Sequence, residues 1–275
     1  MEYNEKINSQ YGDGGIKKRI NQALSAVNKD ASSITLKDLS YIDELHIGGR
    51  EATIKLAGLA KLFPGAKVLD AGSGLGGPAR ILASEFGCIV MGIDLTEEFC
   101  NTAAMLTQFA GIDFEKVSFI CGDAGNTPFK KESFDIVWSQ HSSMNIEDKI
   151  KLYSEYKRIL KKGGLVVIHD VAPKSNEPLY YPTPWANEPS ISFLITEEKL
   201  ISILTELGFE KVYLADISDE AINWYEKMKK ERKSGNIPIL GPHLVFGSAI
   251  SAMASNMRKN LTEKRAKIIE TIWRK

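Results

Sequence analysis

The stretch "VLDAGSGLGG", Val68 to Gly77, decides the fold. An apolar run ends in an acid, and five of the seven residues from Ala71 to Gly77 are Gly or Ser. Gly72, Gly74 and Gly77 satisfy G-x-G-x-x-G, the spacing of nucleotide-binding loops between a first strand and a helix. Glycines there let the chain turn tightly and let a ligand lie against bare backbone. Asp94 follows twenty residues after Gly74, the interval expected of a ribose-binding carboxylate. The spacing alone fits NAD as well as any other nucleoside ligand.

Outward from the loop, short apolar runs alternate with amphipathic stretches. "KVLDAG" reads as a first strand, "GPARILASEF" as a helix and "CIVMGIDL" as a second strand. "TEEFCNTAAMLTQFAG" is a helix with Thr96 as N-cap, two acids in its first turn and Gly111 beyond its end. "VSFICGDA" and "SFDIVWSQ" read as the third and fourth strands. "DKIKLYSEYKRILKKGG" is a helix stopped by paired glycines, and "LVVIHDV" a fifth strand. This rhythm predicts a doubly wound, mostly parallel α/β sheet covered on both faces. The tail after Thr196 adds helix, strand ("FEKVYLADI") and helix, and "KIIETIWRK" fits a seventh strand or a helical ending.

Two regions fall outside the rhythm. Residues 1–60 are helical in pattern, with a break at "YGDGG", and form an N-terminal extension to a domain spanning 61–275. Residues 171–195 carry five prolines and two tyrosines around Trp185, which predicts a long ordered loop acting as a lid.

The 275 residues are 43% hydrophobic and 25% charged, with 35 basic and 35 acidic side chains, so nothing suggests a nucleic-acid partner. The run "KMKKERK" reads as a solvated helix face. No apolar run approaches the ~18 residues of a membrane span, and the polar start lacks the core of a signal peptide, so the expectation is a cytoplasmic protein. Cys88, Cys100 and Cys121 have no metal-ligand spacing and read as reduced packing residues; no metal is expected. A small molecule is the expected partner, and a homodimer stays open.

Asp70 separates the nucleotide readings. A carboxylate just before the loop repels a pyrophosphate and suits a cationic, hydroxyl-bearing ligand. S-adenosylmethionine has an ammonium, a sulfonium and a ribose diol but no phosphate. The ordered blocks "LDAGSGLGG", "GIDLT", "GDA…PF", "SFDIV" and "LKKGG" resemble the class I S-adenosylmethionine-dependent methyltransferases over about Val68 to Asp170. An NAD-dependent oxidoreductase would leave Asp70, "GDA" and "LKKGG" unexplained. A narrower set, "DELHIGGREAT", "WSQHSSMNIEDK", "HDV" and "YPTPWA", is similar to the sarcosine/dimethylglycine N-methyltransferase group. That resemblance implies N-methylation of a small amine, yielding S-adenosylhomocysteine. Methylation of oxygen, sulfur or carbon in another metabolite is the alternative.

The residues then take expected roles. Asp94 accepts from the ribose hydroxyls, Gly72 and Gly74 approach the methionyl part, and Ser73 completes the turn. Asp123 and Ala124 flank adenine, and Leu95 packs on its face. Gln140 and His141 stand at the carboxyl edge of the sheet, where open α/β folds bind ligands. A secondary ammonium must lose a proton before it can attack, so His141, His46 and His169 are candidate proton acceptors. Tyr11, Tyr181 and Trp185 are candidates for an aromatic wall against a methylammonium. Arg50 is a candidate fork for a carboxylate.

Overall fold

A computed structural model describes residues 14–28, 30, 33–233 and 238–275. Its strands are β1 (Lys67–Ala71), β2 (Ile89–Asp94), β3 (Val117–Cys121), β4 (Phe134–Gln140), β5 (Leu160–Pro173), β6 (Glu210–Asp216) and β7 (Ala266–Arg274). They form one seven-stranded sheet in the order β3-β2-β1-β4-β5-β7-β6. Every pair is parallel except those of β7, which runs antiparallel between β5 and β6. The expected doubly wound architecture holds, and the chain ends in a strand.

The helices are α1 (Ile16–Ala26), α2 (Leu36–Asp43) and α3 (Gly49–Leu59) before the sheet, then α4 (Gly77–Phe86), α5 (Glu97–Phe109) and α6 (Lys149–Ile159) within it. The tail carries α7 (Glu197–Glu206), α8 (Ser218–Lys233), α9 (His243–Phe246) and α10 (Ala249–Thr262). Strand alternation assigns the two faces. Val68, Ile136, Trp138 and Val167 pack with Leu56 of α3 and Leu82 of α4. Their neighbours Leu69, Val137, Val166 and Ile168 pack with Tyr156 of α6 and Leu204 of α7. Burial on both faces explains why these strands read as nearly unbroken apolar runs.

The N-terminal extension is bolted to the Gly loop. A capping box opens α2: Asp38 N–H donates to Thr35 Oγ1 at 3.2 Å and Thr35 N–H to Asp38 Oδ2 at 3.0 Å. At the other end, Asp43 meets the wholly buried Arg80 of α4 at 2.6 Å. Arg80 also donates to the Leu75 carbonyl, the Ala103 carbonyl (3.0 Å) and Thr107 Oγ1 (2.9 Å). One guanidinium thus joins α2, the loop and α5. Burial raises the Asp43 carboxyl to about 6, although Arg80 pulls it down.

Three expectations need correction. β5 begins at Leu160 rather than Leu165, because "LKKGG" already pairs through Leu160 with Phe134, and it runs on to Pro173. The proline-rich loop therefore starts at Lys174, not Val171. Its base is strapped down: Tyr180 N–H donates to Asn260 Oδ1 at 2.8 Å, and Asn260 Nδ2 donates to the Tyr180 carbonyl at 3.0 Å. The Tyr180 ring lies 3.6 Å from Lys259 Nζ and 4.3 Å from the Arg265 guanidinium carbon. Cys88 and Cys100 are buried as expected, but Cys121 is exposed because it closes the edge strand β3. Among the described residues no helix is long and apolar enough to cross a membrane.

Candidate active site

A cavity of about 420 Å³ opens at the carboxyl ends of β1, β2 and β4, where the strand order switches direction between β1 and β4. Of the expected residues, Gly72, Ser73, Gly74, Asp94, Leu95, Asp123, Ala124, Gln140, His141, His46 and Trp185 line it. So do Leu45, Met144 and Phe246, which were not expected to line it.

On the Gly-loop side, backbone and carboxylate are interlocked. Asp94 accepts the Gly74 N–H on Oδ2 at 2.8 Å and the Thr96 N–H on Oδ1 at 2.9 Å. Burial raises its pKa, and these two amides oppose the rise. Gly72, at φ +75°, lies against Ser142, and any Cβ there would collide with that side chain. Ser142 Oγ in turn donates to the Ala71 carbonyl at 2.7 Å, which ties the loop to the end of β4. Asp123 turns its own chain by accepting the Gly125 N–H at 2.7 Å.

The lining chemistry suits a cationic nucleoside without phosphates. Asp94, Asp123, Glu147 and Asp148 line the cavity, and Lys151, 3.4 Å from Asp123, is its one described basic lining side chain apart from the histidines. Among the described residues the cavity offers no cluster of basic side chains to clamp a pyrophosphate. Backbone donors and carboxylates fit the amino, sulfonium and diol groups of S-adenosylmethionine.

The opposite wall is built around three histidines. His141 follows β4 in the left-handed region, φ +48°, a conformation uncommon for residues with a side chain. Its Nε2 is buried without a hydrogen-bond partner among the described residues. Burial, reinforced by the neighbouring His46, lowers its pKa to about 3, so the ring is neutral. The His141 ring stands 4.9 Å from that of His169 at 86°, and 6.1 Å from that of His46.

His46 is held by the chain itself. Its Nε2 lies 2.7 Å from Glu44 Oε2 and 3.1 Å from Thr53 Oγ1, and its Nδ1 lies 3.2 Å from the Ile47 carbonyl. Burial is the largest influence and lowers its pKa, but the charge and hydrogen bond of Glu44 prevail and the net shift is upward. Glu44 was not anticipated, although it sits two residues before His46 in "DELHIGG".

Four expected residues stand elsewhere. Asp70 is buried beneath the loop, on the face shared with Val68, and burial followed by the charge of Glu44 raises it to about 7. Arg50 is a correction: it ion-pairs with Glu85 of α4 outside the cavity, because α3 begins at Gly49 and aims it along the surface. Tyr181 is also corrected, since it packs on the apolar cluster behind Trp185 rather than on the cavity. His169 is wholly buried behind His141 and lines no part of the cavity. Tyr11 lies outside the described residues. Trp185 lines the cavity, with Nε1 donating to Ser192 Oγ at 2.9 Å and its carbonyl accepting from Asn145 Nδ2 at 2.8 Å.

Comparison with known proteins identifies the family. A family profile described as a methyltransferase domain matches residues 69–168. The chain is 30% identical to a phosphoethanolamine N-methyltransferase of Plasmodium falciparum over 194 residues, 68% of each chain. It is 25% identical to a sarcosine/dimethylglycine N-methyltransferase of Halorhodospira halochloris, over 71% of this chain and 75% of that one. Against other curated relatives it spans only about half their length, 53% and 48% in two cases. Among solved structures, Haemonchus contortus phosphoethanolamine N-methyltransferase 2 superposes with a TM-score of 0.71 at 20% identity, covering 93% of this chain and 60% of that one.

Proposed function

The chain belongs to the class I S-adenosylmethionine-dependent methyltransferases, and on that premise we propose that it methylates the nitrogen of a small polar amine such as sarcosine or dimethylglycine. The observation that carries this reading is the buried, unpartnered Nε2 of His141 on the cavity wall. Such an atom wants a donor, and the N–H of a neutral secondary amine is one.

When bound, S-adenosylmethionine supplies an electrophilic methyl group on a sulfonium. The protein's part is to hold two reactants in line, exclude water and keep the amine lone pair free. Asp94 and the Gly72–Gly74 backbone hold the nucleoside side. His141, kept neutral by its burial, accepts the N–H of a secondary amine such as sarcosine and orients its lone pair; a ring held at about 3 is too weak a base for the ammonium proton, which leaves to solvent before the amine binds. Trp185, fixed by Ser192 and Asn145, presents an aromatic surface to a nitrogen that becomes more cationic as it gains methyl groups. With Arg50 turned to Glu85, a carboxylate on the acceptor needs a different donor within the cavity.

An acceptor screen with methyl-labelled cofactor tests the proposal. Sarcosine and dimethylglycine should be methylated, faster as pH rises and their ammonium groups deprotonate. His141→Asn should lower kcat on the order of a hundredfold and leave S-adenosylhomocysteine affinity unchanged by calorimetry. Ready methylation of phenols or thiols, with both amines ignored, would overturn the amine reading and leave the family intact.

A further inference from the structure

A row of polar side chains crosses the apolar sheet on its α3 face. Gln140 on β4 is in register with His169 on β5, and His169 with Glu270 on β7. Glu270 is fully buried, yet neither carboxylate oxygen has a hydrogen-bond partner among the described residues. Neither does His169 Nε2. Side chains directly opposite on antiparallel strands stand about 4.5–5.5 Å apart at Cβ, so a hydrogen bond between these orphaned atoms, which the structure does not show formed, needs a change of side-chain rotamer and none of backbone. Buried polar atoms in native proteins are almost always paired.

The direction of the row follows from its first member. Trp138 Nε1 can only donate, and it donates to Gln140 Oε1 at 2.6 Å. That fixes the amide, so Gln140 Nε2 donates to His169 Nδ1 at 3.3 Å. His169 Nδ1 is then an acceptor, which puts the ring proton on Nε2. The remaining acceptor in the row is Glu270.

We propose that Glu270 is a positioning residue that terminates a directional hydrogen-bond chain, Trp138 to Gln140 to His169 to Glu270, and so fixes the ring against which His141 packs. The proposal deepens the amine-methylating role given to His141 above and rests on it for its catalytic consequence. The chain also turns Gln140 into a donor toward the cavity: its oxygen is occupied by Trp138 and, at 3.2 Å, by Thr53 Oγ1, while one amide hydrogen remains. That hydrogen suits the carboxylate of an amino-acid acceptor, the role Arg50 does not fill. The groups facing Glu270 are Lys55 of α3, with Nζ at 3.7 Å, Glu220 of α8, Tyr213 of β6 and His46. Those facing His169 are His141, His46 and Lys55.

Nitrogen-15 spectra of histidine-labelled full-length protein give a readout that needs no turnover. His169 should show a single Nε2–H tautomer, with that proton strongly downfield and slow to exchange. A mixed or Nδ1–H tautomer in the wild type overturns the chain. Glu270→Leu should lose the downfield signal and lower kcat for sarcosine on the order of tenfold, with KM for S-adenosylmethionine within about twofold. Glu270→Gln, which keeps an acceptor oxygen and the side-chain shape, should restore the downfield signal and most of kcat. If kcat with sarcosine is unchanged in Glu270→Leu, the positioning role is overturned. If the wild type ignores sarcosine and dimethylglycine, the amine reading fails instead, while the spectra still decide the chain.

Discussion

The two walls of the cavity were made in different ways. The Gly-loop wall comes from three strand ends, at Gly72–Gly74, Ile93–Thr96 and Gly122–Gly125, each a few residues long and fixed by backbone amides that donate to nearby carboxylates. The acceptor wall draws Leu45 and His46 from the N-terminal extension, His141–Asp148 from the loop after β4, Trp185 from the proline-rich loop and Phe246 from the tail. The first wall is a local property of strand–loop–helix units. The second exists only once four distant segments have packed. A methyl donor common to a whole family suits the first construction, and a variable acceptor suits the second.

Arg80 is the largest lever on this contrast because, buried behind the cavity, it ties the N-terminal extension to the Gly loop. Replacing it with Ala strands the buried Asp43 carboxylate and frees the Leu75 carbonyl and α5 together. Breaking a buried pair in this way costs about 3–5 kcal/mol. Urea denaturation of Arg80→Ala should show a loss of that size, and S-adenosylhomocysteine binding should weaken with it. Lys is not a substitute, since one ammonium cannot reproduce the fork. Full stability in Arg80→Ala would mean that the extension and the loop are independent.

Asp94→Ala should separate the walls. Its loss removes the ribose acceptor and releases the Gly74 and Thr96 amides, lowering cofactor affinity by about 1.5–3 kcal/mol. The histidine cluster, which it does not touch, should keep its imidazole spectra. Calorimetry showing unchanged affinity in a folded variant would remove Asp94 from the cofactor site.

What was legible in the sequence follows the same division. The strands stood out because alternate residues face two apolar layers, and the Gly loop because its glycines sit at fixed spacing before a helix. Seven of the eleven lining residues foreseen, from Gly72 to Ala124, lie on these local motifs. Arg50 misled because its reach depends on where α3 begins, which set it beside Glu85. Asp70 misled because strand alternation turns it under the loop, beside Glu44 and His46. Glu270 left one faint trace, a lone acid inside the otherwise apolar "IIETIW". Its partner on β5 cannot be read until the register is known.

Asp70 also gives the division a pH signature. Burial and Glu44 raise its carboxyl to about 7, above the ~3.9 of an unfolded chain. A carboxyl shifted this way contributes stability that is fully present below the unfolded pKa and is lost as pH rises through about 7. Asp70→Asn abolishes that titration. Its stability relative to the wild type should therefore improve between pH 5 and pH 8, by about 2–3 kcal/mol. Urea midpoints of both proteins across that window measure it. A constant difference would show that Asp70 ionises normally despite its burial.

The smallest expected effect concerns the loop from Lys174 to Ile195, which touches both constructions. Its base at Tyr180 is strapped to α10 by Asn260, while Trp185 at its tip faces the cavity and Asn145 ties it to the loop after β4. A loop held at its base and lining a site at its tip closes by local movement of the tip, not by swinging as a whole. Asn260→Ala leaves the Tyr180 N–H and carbonyl without their partner, a loss of about 1 kcal/mol in strap stability. Limited proteolysis should then cut the variant near Tyr180 faster than the wild type, in proportion to that change. Adding S-adenosylhomocysteine with sarcosine should protect residues around Trp185 in both proteins and leave the cut near Tyr180 little altered. Equal protection at both positions would show that the loop moves as one lid, and the acceptor wall would then be assembled by the ligand itself.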